Sequence, residues 1–264
     1  MRIRASDVAV ATGGRLTGPD LELDGASFDS RSVQPGQLFV ALVADRDGHD
    51  FVAGAVDAGA AAAMVSRPIA MPDGATTVEV SDTAAALLDL AGWARRRLQA
   101  TVVGVTGSVG KTSTKDLLAV ALGAGRRVAA NARSFNNEQG LPVTVLDAPD
   151  DTEVLVLEMG MRGFGEITRL CAIARPDIGV VTRVAPSHTE RVGGIDGVAA
   201  AKAELVVALP ANGTAVLNAD DERVAAMAAA TDATVVTFGQ APRATVRVDA
   251  LTLDGLARPR FTAR

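Results

Sequence analysis

The sequence contains little of what several protein classes require. Only one of its 264 residues is a cysteine, Cys171, which excludes an internal disulfide and fits a reducing compartment. Its first residues, MRIRASDVAVATGG, lack the apolar core of a signal peptide, and no run approaches the ~20 apolar residues of a membrane span. We therefore expect a globular cytoplasmic protein without a membrane span.

An excess of positive charge is also missing. The net charge of −5 argues against a nucleic-acid partner held by bulk positive charge, although a localised basic pocket stays open. Hydrophobic residues make up 48% of the chain and charged residues 22%, enough to build a substantial core and to exclude a disordered protein.

Lysine and histidine are rare among the polar residues. Lys111, Lys115 and Lys202 accompany 23 arginines, and His49 and His188 are the only histidines. A lysine amine is a compact charge that can be covalently modified, whereas a guanidinium offers neither property. Each lysine is thus a candidate functional residue, with biased base composition as the alternative explanation.

Hydrophobic periodicity predicts an α/β fold with two domains. Residues 1–100 read as a small α/β domain, with β-type runs near 36–42, 63–65 and 77–80 and helices near 51–61 and 82–98. Residues 101–264 alternate short Val-rich strands with helices, which is typical of a mostly parallel sheet covered on both faces. The strands predicted there are Val102–Thr106, Val154–Glu158, Ile178–Thr182, Thr214–Leu217 and Thr234–Phe238, followed by a strand pair around Asp254-Gly255. The helices predicted there are Lys111–Leu122, Gly165–Ala174, Ile195–Leu209 and Asp221–Ala229.

A glycine-rich turn at 104–112, GVTGSVGKT, carries the strongest chemical signal. It follows a strand and opens a helix, an order that turns backbone N–H groups and the positive helix end towards phosphate oxygens. Lys111 would reach the outer phosphates, and the Thr112 hydroxyl would ligate Mg²⁺. A turn without a ligand is the alternative. An Asn-Lys-x-Asp element for guanine is missing, which favours adenine and disfavours a generic GTPase or kinase.

The turn and several further motifs resemble the Mur ligase family. Its ATP loop is similar to Thr106-Gly107-Ser108-x-Gly110-Lys111-Thr112. Further resemblances are DSR at 29–31, DGHDF at 47–51, NNEQGLP at 136–142 and EMGM at 158–161. Together they point to the type that joins D-Ala-D-Ala to UDP-N-acetylmuramoyl-tripeptide, the MurF type. The resemblance implies a UDP-substrate domain over 1–100 and a P-loop ATP-binding central domain over 101–264.

The resemblance also implies a mechanism and a set of site residues. A substrate carboxylate attacks ATP to give an acyl phosphate, which an amine then captures. The implied cofactors are ATP, one or two Mg²⁺ ions and a CO₂-derived carbamate on Lys202. We expect a monomer whose partners are small molecules, without nucleic acid. The implied catalytic residues are Lys111, Lys202 and His188. The implied metal ligands are Thr112, Glu158, His188 and carbamylated Lys202. The implied ATP contacts are Thr106, Gly107, Ser108, Gly110, Lys111, Thr112 and Asn218. The implied substrate contacts are Ser30, Arg31, His49 and Asn137, with a structural loop role as the alternative for His49.

The sequence departs from the family pattern in ways that leave alternatives open. Residues 182–185 read Thr-Arg-Val-Ala where the family has Thr-Asn-Val-Gly, so a cation replaces an amide and an alanine replaces a glycine. The resemblance further implies that the family's C-terminal domain is missing and the central domain incomplete. A non-catalytic homologue that binds nucleotide or UDP-sugar is therefore the alternative to a ligase.

Overall fold

The computed structural model describes residues 1–70, 74–132, 135–186 and 189–264. The strands are β1 (Arg2–Arg4), β2 (Arg15–Thr17), β3 (Glu22–Asp24), β4 (Ala26–Ser27), β5 (Leu38–Val40), β6 (Ala62–Val65), β7 (Thr76–Glu79), β8 (Thr101–Thr106), β9 (Val128–Ala130), β10 (Val154–Glu158), β11 (Ile178–Val181), β12 (Thr214–Asn218), β13 (Thr234–Gly239), β14 (Val246–Leu253) and β15 (Pro259–Ala263). The α-helices are α1 (Ala5–Thr12), α2 (Val52–Asp57), α3 (Thr83–Arg97), α4 (Lys111–Gly123), α5 (Gly140–Asp147), α6 (Glu166–Ala174), α7 (Thr189–Val192), α8 (Ile195–Val207) and α9 (Glu222–Ala226). Within the described ranges, none of these helices is long and apolar enough to cross a bilayer.

The chain divides into two compact units. The first contains Met1–Ala100 and Ser134–Glu153, and the second contains Thr101–Arg133 and Val154–Arg264. The sequence places everything after residue 100 in one domain, whereas contacts assign the α5 segment to the first unit. Helix α5 is buried along its length and packs against α3. Burial of its apolar side chains, and not chain order, decides where this segment belongs.

The first unit is a small α/β layer, as the sequence predicts. Its five-stranded sheet has the order β2-β7-β6-β5-β4, in which only the β2–β7 pair is antiparallel. Phe39, Val52 and Val65 belong to the core between this sheet and its helices. Helix α3 begins where the Asp82 carboxylate accepts hydrogen bonds from two free backbone N–H groups, and three arginines occupy its last turn.

The second unit is built on an eight-stranded sheet of order β15-β14-β13-β12-β11-β8-β10-β9. All its pairs are parallel except β14–β15, so the predicted, mostly parallel α/β class is confirmed. The register sets Glu158 beside Val105 and Thr106 beside Val181. The carboxyl ends of β8, β10, β11 and β12 therefore lie along one edge, where ligands bind in open α/β sheets.

Several elements of the structure were not predicted, strand β9 and helix α5 among them. Strand β9 has three residues, too few to show an alternation. The segment of α5, GLPVTVLD, contains a proline and two β-branched valines, which lower its helix propensity. It forms a helix because packing against the first unit outweighs that local preference.

Candidate functional site

The loop between β8 and α4 has the backbone geometry of a phosphate cradle. Gly107 and Gly110 have φ values of 147° and 87°, conformations that side chains disfavour, and Gly110 precedes the first turn of α4. Lys111 lies in that first turn, and its Nζ donates to the Gly107 carbonyl at 2.9 Å. The Lys111 ammonium is therefore held against the loop that would bind a phosphate chain.

The segment after β11 supports this loop from one side. The Thr182 hydroxyl donates to the Val109 carbonyl at 2.7 Å, and the Ser108 hydroxyl donates to the Ala185 carbonyl at 2.8 Å. The Ser108 backbone N–H donates to the Arg183 carbonyl at 2.6 Å. The loop is therefore preorganised by its neighbours, which lowers the cost of ordering it around a ligand.

Thr112 and Glu158, two of the predicted metal ligands, meet at the edge of the sheet. The Thr112 hydroxyl donates to Glu158 Oε2 at 2.8 Å, and Glu158 is only 1% exposed. A hydroxyl and a carboxylate are the hard oxygen donors that suit Mg²⁺, which binds proteins through one or two such groups and completes its shell with phosphates and water. Within the described ranges no larger cluster of acidic, histidine or cysteine side chains could hold a metal. The donor set fits Mg²⁺ that arrives with a nucleotide.

Lys202 is a buried cation close to the loop. It is 3% exposed and makes no hydrogen bond or ion pair with any residue that the structure describes. Burial, with a smaller contribution from the nearby Lys111 ammonium, lowers the pKa of Lys202 from 10.5 to about 8. Its helix α8 is fixed by Glu204, which accepts hydrogen bonds from the backbone N–H groups of Gly165 and Thr168 at the start of α6. Folding thus brings two of the three lysines together.

Two further predicted residues have different outcomes. Asn218, at the end of β12, donates from its amide to the Thr182 carbonyl at 2.8 Å and accepts from the Asp220 N–H at 2.9 Å. It therefore holds the loop supports together, and its predicted adenine contact stays a prediction. His188, predicted as a metal ligand and catalytic residue, lies outside the described residues.

A cavity of about 410 Å³ in the first unit contains two of the predicted substrate contacts, Ser30 and Arg31. Arg31 forms a two-pronged ion pair with Asp29, at 2.9 Å for Nε–Oδ1 and 2.7 Å for Nη2–Oδ2. This hydrogen bonding lowers the pKa of Asp29 to about 2. Arg46 also lines the cavity, with its guanidinium 5.2 Å from the ring centre of Phe51. The Asp29 and Asp45 carboxylates line the cavity as well, so its two guanidinium groups offer directed anion contacts without a net positive charge.

The side chains of His49 and Asn137, two predicted substrate contacts, have hydrogen-bond partners within the protein. The buried His49 ring bonds the Asp47 carboxylate through Nδ1, and its Nε2 accepts from the Ser66 backbone N–H at 2.8 Å. No ring nitrogen remains for a substrate, so the structural role is favoured over the predicted substrate contact. The Asn137 side-chain Oδ1 accepts from the Gly140 backbone N–H at 2.9 Å at the start of α5. The substrate role of Asn137 stays a prediction.

The second unit carries a known family signature. The Mur ligase middle domain family matches residues 105–255, more than half of the chain. The chain belongs to the Mur ligase family.

Several relatives that match this Mur ligase chain are themselves ligases of the MurF type. The UDP-N-acetylmuramoyl-tripeptide–D-alanyl-D-alanine ligase of Mycobacterium bovis is 44% identical over 260 residues, 89% of this chain and 50% of that protein. The crystal structure of MurF from Acinetobacter baumannii superposes on 100% of this chain and 58% of its own, with a TM-score of 0.88 and 28% identity. MurF ligase from Thermotoga maritima, solved in complex with ADP, has a TM-score of 0.75 and 32% identity over 88% of this chain and 54% of its own.

These matches confirm the predicted family and leave its whole-protein activity to be proposed. The chain spans about half the length of the curated relatives it matches. Statements about catalysis and substrates therefore concern more protein than this chain contains.

The two departures from the Mur ligase pattern leave the loop supports intact. The Arg183 side chain is exposed, and it is the Arg183 backbone carbonyl that contacts Ser108. Ala185 is not among the residues with a positive φ, so its position does not need glycine. Because both residues act through backbone carbonyls, their side chains can change without loss of these hydrogen bonds.

The sequence did not single out Asn131 or the Thr182 hydroxyl as site residues of this Mur ligase chain. Asn131 is 1% exposed and lies directly after β9. A buried polar residue at the end of a parallel strand is a usable signal, but β9 itself was too short to be predicted. The role of the Thr182 hydroxyl could be recognised only from the structure, in which the end of β11 lies beside the glycine loop.

Proposed function

We propose that this chain provides the nucleotide-binding and UDP-substrate-binding parts of an ATP-dependent peptide ligase of cell-wall precursor synthesis. The reaction joins D-Ala-D-Ala to UDP-N-acetylmuramoyl-tripeptide in the cytoplasm, with the protein acting as a monomer on small molecules. The observation that carries this proposal is the glycine loop with Lys111, Thr112 and Glu158 at one sheet edge. The names of the relatives support the choice of substrates.

The proposed chemistry has two steps, and its atoms balance. A terminal carboxylate oxygen of the tripeptide attacks the γ-phosphorus of ATP, and the bond to the bridging oxygen breaks, which releases ADP. The amine of D-Ala-D-Ala then attacks the acyl carbon, an amide forms, and phosphate leaves with loss of one proton. Such phosphoryl transfer needs positioning and charge neutralisation more than covalent help from the protein.

In this proposal the residues of the second unit perform the positioning. The glycine loop would donate its backbone N–H groups to the phosphates, except that of Ser108, which is bonded to the Arg183 carbonyl. The Lys111 ammonium would stay in contact with the γ-phosphate while it is transferred. Thr112 and Glu158 would hold Mg²⁺, which when bound neutralises the charge that develops between the β- and γ-phosphates. Lys202 would add an anionic oxygen ligand as a carbamate, for which its lowered pKa is suited, because only the neutral amine attacks CO₂.

In the first unit, the cavity with Arg31 and Arg46 is the proposed place of the UDP moiety. Arginine guanidinium groups match phosphate geometry and stay charged at all physiological pH values. The ion pair with Asp29 holds the Arg31 fork in one orientation, so less side-chain entropy is lost on binding.

Calorimetry with two reciprocal variants tests the assignment of the two ligands to the two units. Lys111→Ala is expected to weaken Mg²⁺–ATP binding about 100-fold and to leave UDP-N-acetylmuramoyl-tripeptide binding unchanged. Arg31→Ala is expected to weaken binding of the tripeptide precursor about 10- to 100-fold and to leave ATP binding unchanged. A variant that weakens both ligands equally, or neither, contradicts the assignment.

Turnover decides between the ligase and the alternative. ADP release that requires both the precursor and D-Ala-D-Ala supports a ligase. Binding of both ligands without ADP release supports a non-catalytic nucleotide- and UDP-sugar-binding homologue. No binding of ATP by the wild-type chain overturns both.

The carbamate is tested by a label that does not depend on turnover. Incubation with ¹³C-bicarbonate at pH 8 is expected to give one carbamate carbon resonance from the wild-type protein, because the Lys202 amine is about half neutral at that pH. The resonance should be missing from Lys202→Arg, whose guanidinium cannot be carbamylated. A resonance that persists in Lys202→Arg would assign the carbamate to another lysine.

A further inference from the structure

The Asn131 side chain extends the hydrogen bonding of the sheet beyond the last backbone pair of β9. The parallel ladder between β9 and β10 ends at the pair Ala130–Val156. Beyond it, the Asn131 amide takes the place of a peptide group: its Oδ1 accepts from the Glu158 N–H at 2.8 Å, and its Nδ2 donates to the Glu158 carbonyl at 3.0 Å. Both backbone groups of Glu158 are therefore held by one side chain.

The other side of this residue is fixed by the sheet. Glu158 is in register with Val105 of β8, and the next residue, Met159, donates its N–H to the Val105 carbonyl at 2.8 Å. With β8 on one side and the Asn131 amide on the other, the Glu158 backbone has little freedom. Its carboxylate is thereby aimed at Thr112.

Lys115 anchors this arrangement from helix α4. Its side chain is 3% exposed, and its Nζ donates to the Asn131 carbonyl at 2.6 Å and pairs with Asp116 at 2.9 Å. Lys115 lies one helical turn after Lys111, on the helix that carries Thr112. The helix that bears one proposed metal ligand is thus connected through Asn131 to the strand that bears the other.

We propose that Asn131 is a positioning residue for divalent cation binding, which holds the Glu158 carboxylate where it and Thr112 can share one Mg²⁺, with Lys115 as its anchor. The inference rests on the proposed function, because it takes Glu158 as a metal ligand. Residues that orient metal ligands through hydrogen bonds commonly change metal affinity by about 10- to 100-fold when they are lost.

The test measures ATP affinity with Mg²⁺ and with EDTA, so that the cation's contribution is a ratio of two dissociation constants. Asn131→Leu keeps the approximate side-chain volume and removes both hydrogen bonds. It is expected to reduce the Mg²⁺-dependent gain in affinity about 10-fold. Binding in EDTA should stay within about twofold, because the Asn131 hydrogen bonds to Glu158 and Lys115 are made outside the glycine loop. Asn212→Leu, at an exposed asparagine, is the matched control and should change neither value.

Three further variants, measured in the same way, test the separate parts of this inference. Asn131→Asp keeps the acceptor for the Glu158 N–H and should retain part of the Mg²⁺ gain, and it replaces Asn131→Leu if that variant does not fold. Lys115→Met removes the contact with the Asn131 carbonyl together with the ion pair to Asp116, and should give a smaller loss. Glu158→Gln should remove most of the gain.

The outcomes separate this inference from the proposed function. A loss of thermal stability in both Asn131 variants with an unchanged Mg²⁺ gain would show a purely structural residue and overturn the inference. If Glu158→Gln loses the gain while both Asn131 variants keep it, the inference fails and the metal assignment stands. If Glu158→Gln also keeps it, the metal assignment in the proposed function fails.

Discussion

Gly107→Ala is expected to abolish measurable ATP binding, a loss of at least about 100-fold, while the overall helix and strand content is retained. A Cβ atom at this position would overlap the Thr182 hydroxyl oxygen and lie 3.1 Å from the Arg183 backbone nitrogen. The backbone φ of 147° adds strain of about 1–3 kcal/mol for any side chain. The Thr182 hydroxyl cannot turn away without breaking its hydrogen bond to Val109. The loop must therefore shift, and its backbone N–H groups no longer point towards one phosphate position.

Calorimetry with a non-hydrolysable ATP analogue checks this result, and circular dichroism checks that the variant is folded. Gly123→Ala is the matched control, since a Cβ there meets nothing within 4 Å and its φ is not positive. That variant should bind as the wild type does and gain slightly in stability, because alanine is the better helix former. Wild-type affinity in Gly107→Ala would show that the loop does not need this conformation.

Lys202→Met is expected to stabilise the folded chain by about 2–3 kcal/mol at pH 7. The folded-state pKa of Lys202 is lowered to about 8, whereas its ordinary value is 10.5. Between these two pH values the unfolded state binds more protons than the folded state, so the stability of the wild type rises with pH across that window. Below pH 8 the full cost of burying the ammonium is present. Methionine keeps the side-chain length and removes this cost.

Denaturant unfolding in CO₂-free buffer from pH 7 to pH 10.5 measures the effect, since the amine must stay unmodified. The stability difference between the variant and the wild type should shrink steadily above pH 8 and approach zero near pH 10.5. Arg126→Met, which removes an exposed cation, is the control and should change stability by no more than about 0.5 kcal/mol. A destabilised Lys202→Met, or a difference independent of pH, would mean that the ammonium is compensated in the folded state.

The second unit shows how far local sequence patterns reach. The glycines and Lys111 at the start of α4 could be identified because their chemistry is contained in a few consecutive residues. The predicted strands of this unit were also found, since each is a short apolar run bounded by polar loops. Glu158 and Lys202 were selected through the family resemblance. Their burial and their relation to Thr112 and Lys111 are findings of the structure.

Other residues show where the sequence was insufficient. His49 could be a ligand or a structural residue by sequence alone, and only the positions of Asp47 and Ser66 showed that both ring nitrogens are engaged. Helix α5 contains a proline and β-branched residues, and no feature of the neighbouring sequence indicates that it belongs to the first unit. Its Asp147 carboxylate reaches the Ala26 backbone N–H at 3.0 Å, a contact between residues 121 positions apart.

By itself the sequence determined the α/β class, the family and the phosphate-binding turn, because periodicity, composition and a contiguous motif are properties of neighbouring residues. Only the tertiary structure decided that Asn131 holds Glu158, that Thr182 supports the glycine loop and that Lys202 is a buried, weakened base. Each of these depends on which distant segments pack side by side and on how much water they exclude. Strand order determines which segments are neighbours, and burial determines how much water is excluded. Both change the energy of a charge or a hydrogen bond, and neither can be recognised from the residues adjacent in sequence.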